Sequence, residues 1–150
     1  MRIKYLSFCL LIFLASYFPL KGQGRLSKEK ICGRWELLDK TLIITVSMYK
    51  NQFKAVITWF RDTEGKTLDY WTDINNPNPA LRHRKLHGMS ILRNLTYHPK
   101  TNSWEEGMIY DSIHGREWNA SAYIDKNGQL KVKGYWHFKF IGRTMIFMKI

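Results

Sequence analysis

The chain has 150 residues, with 24 Lys+Arg against 12 Asp+Glu, a formal net charge of +12 and only 2 Cys. That length fits one ordinary domain and excludes a large multidomain enzyme. The cysteine count excludes a disulfide-stapled framework, so a hydrophobic core must hold the fold.

Arg2 and Lys4 give a short basic start, and residues 6–18 are apolar, with no charge until Lys21. A basic segment followed by an apolar one is the pattern of an export signal. A membrane-spanning helix needs roughly 20 apolar residues, and this run is shorter; a permanent N-terminal anchor is the competing reading. The sequence therefore divides into a signal peptide over 1–22, cleaved near Gly22–Gln23, a loose linker over 23–30 and one domain over 31–150, with no transmembrane helix in the mature protein. Neither Cys9 nor Cys32 follows the Leu-x-Gly or Leu-x-Ala pattern of a lipid-modified cysteine. Loss of the signal leaves Cys32 alone: a nucleophile, an intermolecular bridge or, preferred here, a small buried hydrophobe before Gly33. Residues 1–22 also hold Arg2, Lys4, Lys21 and no acid, so 21 cations and 12 acids remain, a net +9. Such a field attracts anions. A periplasmic or secreted protein meets an anionic envelope surface more readily than nucleic acid, so the partner expected is the former and not the latter; the competing reading is that the charge serves solubility alone and has no target.

The dominant period beyond the signal is two. Gly33 and Trp35 open the first strand. Leu42, Ile44, Val46 and Met48 alternate with Thr41, Ile43, Thr45 and Ser47, and after a polar break at 50–52 so do Phe53, Ala55, Ile57 and Trp59. Alternation of this kind marks half-buried strands. The stretch 62–86 is long and polar, contains Asn75-Asn76-Pro77-Asn78-Pro79, and admits a helical turn over 79–84. Strands follow over 87–97, 103–110 and 118–124, with turns at 99–102 and 111–115. Asn127-Gly128 then marks a tight hairpin, because both residues tolerate positive φ. Leu130, Val132, Gly134, Trp136 and Phe138 form the next strand, and 143–150 the last. The fold class is thus all-β: a single eight-stranded antiparallel up-and-down barrel, whose closure removes exposed edges. Such a barrel has an interior just wide enough for packed side chains or one small ligand.

Several segments carry a family resemblance. Asn75 to Arg82 followed by Leu86-His87-Gly88-Met89-Ser90-Ile91-Leu92, Trp104-Glu105-Glu106-Gly107-Met108-Ile109-Tyr110-Asp111 with Gly115, Leu130-Lys131-Val132-Lys133-Gly134-Tyr135, Gly142-Arg143-Thr144 and Gly33-x-Trp35 together resemble the bacterial exported family DUF2147. The resemblance implies a lipocalin-like barrel of uncertain biochemical role. It also implies that one end is closed by Arg143 stacked on Trp35 beside Gly33, a cation–π contact of about 0.5–2 kcal/mol. Ser112, Trp118, Phe147 and Lys54 depart from that family's usual residues, as aromatic swaps or turn changes.

The candidate ligand-binding residues are Trp59, Arg82, Trp104, Tyr110, Trp118 and Trp136. The four tryptophans, if they point inward, either fill the barrel or line an apolar cavity; Ala120 and Ala122 beside Trp118 leave room. His83 and His87 have a four-residue spacing suited to a metal, but Arg82, Arg84 and Lys85 oppose a cation, so no metal is expected and the run reads as an anion site or a solvated basic loop. Glu105 and Glu106 face opposite sides of a strand and cannot share one reacting bond. His98 and His114 lie at turns, Asp111 shapes its turn, and no phosphate loop, G-x-S-x-G or H-E-x-x-H occurs. No catalytic residue and no cofactor is assigned. The reading reached is an exported, non-enzymatic barrel that holds a small apolar or amphipathic ligand. The alternatives are a filled barrel that works through its outer surface, or a hydrolase with an unrecognised site.

Overall fold

A computed structural model describes residues 27–150; the expected signal peptide over 1–22 and the start of the linker lie outside the described residues. Eight strands follow one another: β1 Gly33–Leu37, β2 Leu42–Tyr49, β3 Gln52–Phe60, β4 Ser90–His98, β5 Ser103–Asp111, β6 Arg116–Ile124, β7 Leu130–Tyr135 and β8 Gly142–Lys149. Each pairs antiparallel with its sequence neighbours, and β8 pairs with β1 to close the barrel. The expected strands are all present, but two differ in extent. The fourth begins at Ser90 and not at His87, and the seventh stops at Tyr135 instead of running to Phe138; Trp136 to Ile141 form an exposed connection.

Alternation fixes the core. Trp35, Ile44, Val46, Phe53, Ala55, Leu95, Trp104, Ala120, Ala122, Leu130, Val132 and Phe147 are almost wholly buried. Most of the bulky ones cluster at one end, where the N-terminal segment acts as a plug. Residues 27–29 make a helical turn, Ile31 is fully buried, the Trp35 indole donates to the Ile31 carbonyl at 2.7 Å, and the Trp104 indole donates to the Lys28 carbonyl at 3.1 Å. The expected loose linker is therefore packed structure from residue 27 onward. Closure also differs from the expectation. The β1–β8 register sets Trp35 opposite Lys149, whose Nζ lies 5.3 Å from the indole centroid, whereas Arg143 stands opposite Gly134 at the far end of β8. A strand of eight residues separates the two ends, so the cation on Trp35 is Lys149 and not Arg143.

A β-bulge redirects the upper part of β2 and β3. Ile44 pairs with Ile57, but Ile43 pairs with Trp59, which leaves Thr58 as the extra residue. An extra residue shifts every later side chain to the other face. Phe60 and Leu42 consequently pack on the core while Trp59 does not.

The long connection over 61–89 is latched to the barrel's outer surface. Thr72 bridges Lys85, and the Asp73 amide donates to the Arg84 carbonyl at 2.9 Å. Short 3-10 turns occupy Leu68–Tyr70 and Pro79–Leu81, the second within the expected helical turn and capped by the Asn78 side chain. At the centre lies Asp73, fully buried. Its carboxylate accepts from the Tyr110 hydroxyl at 2.7 Å, from Asn76 Nδ2 at 2.6 Å and from Arg84 Nη2 at 2.8 Å. Burial alone would raise its pKa, but these three donors outweigh it and hold the carboxyl below the usual range. Burial and the adjacent carboxylate push the Tyr110 phenol up to about 12. The connection also needs Gly115, which has φ +63; a Cβ at that position would stand 1.9 Å from the Asn75 carbonyl oxygen.

Two outcomes follow from this latch. Tyr110→Phe should lower stability by about 1–3 kcal/mol, because it removes one donor from a buried carboxylate. The Asp73 contribution is fully present above the unfolded carboxyl pKa of about 3.9 and disappears as pH falls through the lower folded value. Thermal unfolding between pH 7 and pH 3 should thus show a steeper loss for the native chain than for Asp73→Asn; parallel curves would refute the latch. Gly115→Ala should cost about 1–3 kcal/mol from the positive φ alone, more once the Asn75 clash is added, and should expose 61–89 to proteolysis faster than Gly128→Ala, whose Cβ meets nothing.

Candidate functional site

The opposite end of the barrel is not filled in the same way. Leu37, Leu42, Phe60, Trp118 and Met145 pack against the core yet remain only half-buried, and Leu86 of the long connection joins them. Register places them on one lumenal face. Trp118 pairs with Ile109, Leu42 with Phe60, and Met145 with Val132. Ala120 and Ala122 continue the Trp118 face but are wholly buried, so the room expected beside them is occupied; Ala122 lies opposite Trp104. Gly134 opposes Arg143, and a Cβ there would come within 3.3 Å of Ile109 and 3.9 Å of Trp118, so this glycine too faces the lumen. Arg143 shares the face of Met145 two residues on. It is exposed at the rim and has no hydrogen-bond or ion-pair partner among the described residues. The half-open end is thus an apolar ring with a cation at its edge.

Of the residues singled out from the sequence, Trp118 belongs to this ring and Trp136 touches it. Their rings meet edge to face, with centroids 5.5 Å apart, but Trp136 is 58% exposed and lies beyond the strand expected to carry it. Trp104 is at the other end, 1% exposed, with its ring 6.2 Å from Phe53 and 5.3 Å from Tyr97; it fills the barrel and lines no cavity. Trp59 is turned off the lumen by the bulge. Tyr110 neighbours the inward Ile109 and pairs with Glu117, whose carboxylate holds Arg93 at 2.6 Å on the outer surface. Tyr110 therefore points out of the barrel, under the long connection, and cannot meet a lumenal ligand. Arg82 donates through Nε to the Asn76 carbonyl at 2.8 Å, a brace for the same connection.

The basic run after the loop is partly neutralised. Arg84 pairs with Asp73, Lys85 with Asp69 at 2.7 Å, and His87 approaches the same Asp69 at 3.2 Å. Among the described residues no group of three or more His, Cys, Asp or Glu is placed to hold a metal. Cys32 is half-buried, and burial pushes its thiol pKa up, which suits a packing role better than a nucleophile. Asp111 accepts from the Ile113 and His114 amides at 3.0 and 3.3 Å, as a turn-shaping residue does. Glu106 has φ 62 at a bulge in β5; Glu105 instead binds Ser103 at 2.7 Å and contacts Lys139. The bulge therefore sets both glutamates on the outer side of β5, contrary to the opposite sides that plain alternation predicts, and with His98, Thr101, Tyr135 and Lys139 they line a cleft of about 330 Å³ on the outer surface. Phe60, Leu37 and Met145 have no place in the sequence reading and Leu42 enters it only as a strand residue; the bulge that turns Phe60 inward leaves no mark in the alternation.

The comparisons agree with this architecture. The chain resembles in structure a protein titled "Protein HP1028 from the human pathogen Helicobacter pylori belongs to the lipocalin family", with a TM-score of 0.66 at 22% identity, over 80% of this chain and 82% of that one. No curated protein sequence matches. The family described as "Uncharacterized protein conserved in bacteria (DUF2147)" matches residues 33–149, which span β1 to β8. By that match, over nearly every described residue of an eight-stranded lipocalin-like barrel, the chain belongs to the DUF2147 family.

Proposed function

We propose that this chain is an exported binding protein that takes a small amphipathic molecule at the half-open end of its barrel. The observation that carries the reading is the division of the lumen. Trp35, Phe53, Trp104 and Phe147 fill one half completely, while Leu37, Leu42, Phe60, Trp118 and Met145 leave apolar surface reachable from solvent at the other. Barrels of this size accommodate one small ligand where side chains leave room. The site is shallow, so the ligand's apolar part is short and its head remains near the rim. Arg143 there favours an anionic head: an unpaired guanidinium binds carboxylate or phosphate bidentately.

The choice of ligand class is tested with monomeric decanoate and its methyl ester. Decanoate should bind saturably, one per chain, and Arg143→Glu should weaken it about tenfold, equivalent to about 1.4 kcal/mol, while changing binding of the uncharged ester far less. Trp118→Ala should weaken both. Absence of saturable binding by either compound, or equal affinities in all three proteins, would dispose of the reading.

A further inference from the structure

The bulge in β5 builds something that an unbroken strand would lack. Trp104 pairs with Ala122 and Gly107 with Ala120, so two residues, Glu105 and Glu106, stand against the single Ser121 of β6. Trp104 is buried in the lumen, and Gly107 faces it too, since a Cβ there would strike the Leu95 side chain at 2.6 Å. Both glutamates between them are left on the outer wall, over a residue as small as serine. Glu106 takes φ 62 to stand there, a left-handed conformation uncommon for a residue with a Cβ.

The cleft beside them, about 330 Å³, lies at the small end of the roughly 300–1,000 Å³ that ligand pockets span. Its other walls are His98 at the end of β4, Thr101 of the following turn, Tyr135 at the end of β7 and Lys139 of the 136–141 connection. Every lining residue carries a polar group, and donors and acceptors are mixed. The two carboxylates accept, the Lys139 ammonium donates, and the imidazole and the two hydroxyls can do either. Charge nearly cancels, because Lys139 contacts Glu105 and His98 Nε2 stands 3.6 Å from Glu106. That separation is too long for a hydrogen bond, so the Glu106 carboxylate keeps its accepting capacity. Among the described residues the Tyr135 hydroxyl has no hydrogen-bond partner either.

These groups narrow the ligand class. A cation would meet Lys139 and an anion would meet two carboxylates, so an ion of either sign faces a like charge. An apolar molecule would strip water from the lining groups and return no hydrogen bond. A neutral polyol serves donors and acceptors together, since each hydroxyl gives one proton and accepts in turn. Half-buried Tyr135 adds an aromatic face, whose negative π-cloud suits the C–H face of a sugar ring. We infer that the outer cleft between the β5 bulge and Tyr135 binds a neutral saccharide. This cleft shares no residue with the lumenal ring, so it is a second site, independent of the small-ligand reading.

The test is calorimetric titration, with ligand-detected NMR, of the chain purified from its own cells. The probes are three neutral trisaccharides, N-acetylated chitotriose, cellotriose and maltotriose, set against cationic deacetylated chitotriose and anionic trigalacturonate. At least one neutral sugar should bind saturably, one per chain, about tenfold more tightly than either charged one. Its affinity should hold as salt rises from about 0.05 to 0.5 M, because no ligand charge is screened. Glu106→Ala and Tyr135→Ala should each weaken it about tenfold, whereas Glu106→Gln, which keeps an accepting oxygen, should retain most of it. Tyr49→Ala, an exposed aromatic at the end of β2, should leave it unchanged. Glu106 is exposed, and thermal unfolding of each variant verifies that it folds. No saturable binding by any of the three neutral sugars, tighter binding of a charged one, or equal affinities in the native chain, Glu106→Ala and Tyr135→Ala would each overturn the inference. Decanoate titrated into the same variants keeps the two sites separable: Glu106→Ala should retain it, and Arg143→Glu should retain the sugar.

Discussion

The contact on which the rest of the structure depends is the one made by Trp35. Its indole is buried, its Nε1 donates to the Ile31 carbonyl at 2.7 Å, Ile44 faces it from β2, and Lys149 lies over its ring from β8. The first strand thereby ties together its own N-terminal plug, the second strand and the last. A barrel has no free edge only if its first and last strands meet in register. Here that register is set by three pairs, Trp35 with Lys149, Glu36 with Met148 and Leu37 with Phe147. Loss of a buried Trp costs about 3–5 kcal/mol in general; at this position the loss would also unseat the plug and release the seam.

Once the seam is fixed, the two ends acquire different characters. The plug consumes the lumen at one end, where Trp104 reaches the Lys28 carbonyl and Phe53 packs edge to face on it. At the other end no plug enters. The connection over 61–89 is long enough to cover the mouth, but the Asp73 latch holds it against the outer surface beside Tyr110, and it contributes Leu86 to the ring's edge. Arg143, six residues before Lys149, is carried by the same strand to the open rim. A single register thus closes one end with a cation on an indole and leaves another cation unpaired at the other.

The number and order of strands were legible in the sequence because a period of two with polar breaks is a local signal, and burial of one face enforces it. What failed was whatever depended on register between strands. Trp35 and Arg143 lie on strands that meet, which invites their pairing, yet the antiparallel register sets Trp35 against Lys149. Trp59 continues the alternation of Phe53, Ala55 and Ile57 in sequence, yet one extra residue at Thr58 turns it off the lumen and puts Phe60 there instead. Tyr110 adjoins a core residue, but its own polar partner, Asp73, is thirty-seven positions away in sequence and its role cannot be seen from either segment alone. Trp118 was found because it stands before two alanines on an uninterrupted strand, where alternation holds.

The two apolar features of the open end are not separate in space. Trp118 belongs to the lumenal ring, Trp136 begins the exposed connection, and their rings touch at 5.5 Å. The Asn119 side chain, next to Trp118, donates to the Trp136 carbonyl at 2.6 Å. The base of the connection is therefore fixed to the strand that lines the mouth, while its tip, Phe138 to Ile141, is left in water. Folding alone gives no reason for that tip, since a polar connection of the kind found at the plugged end would join two strands equally well and expose less apolar surface.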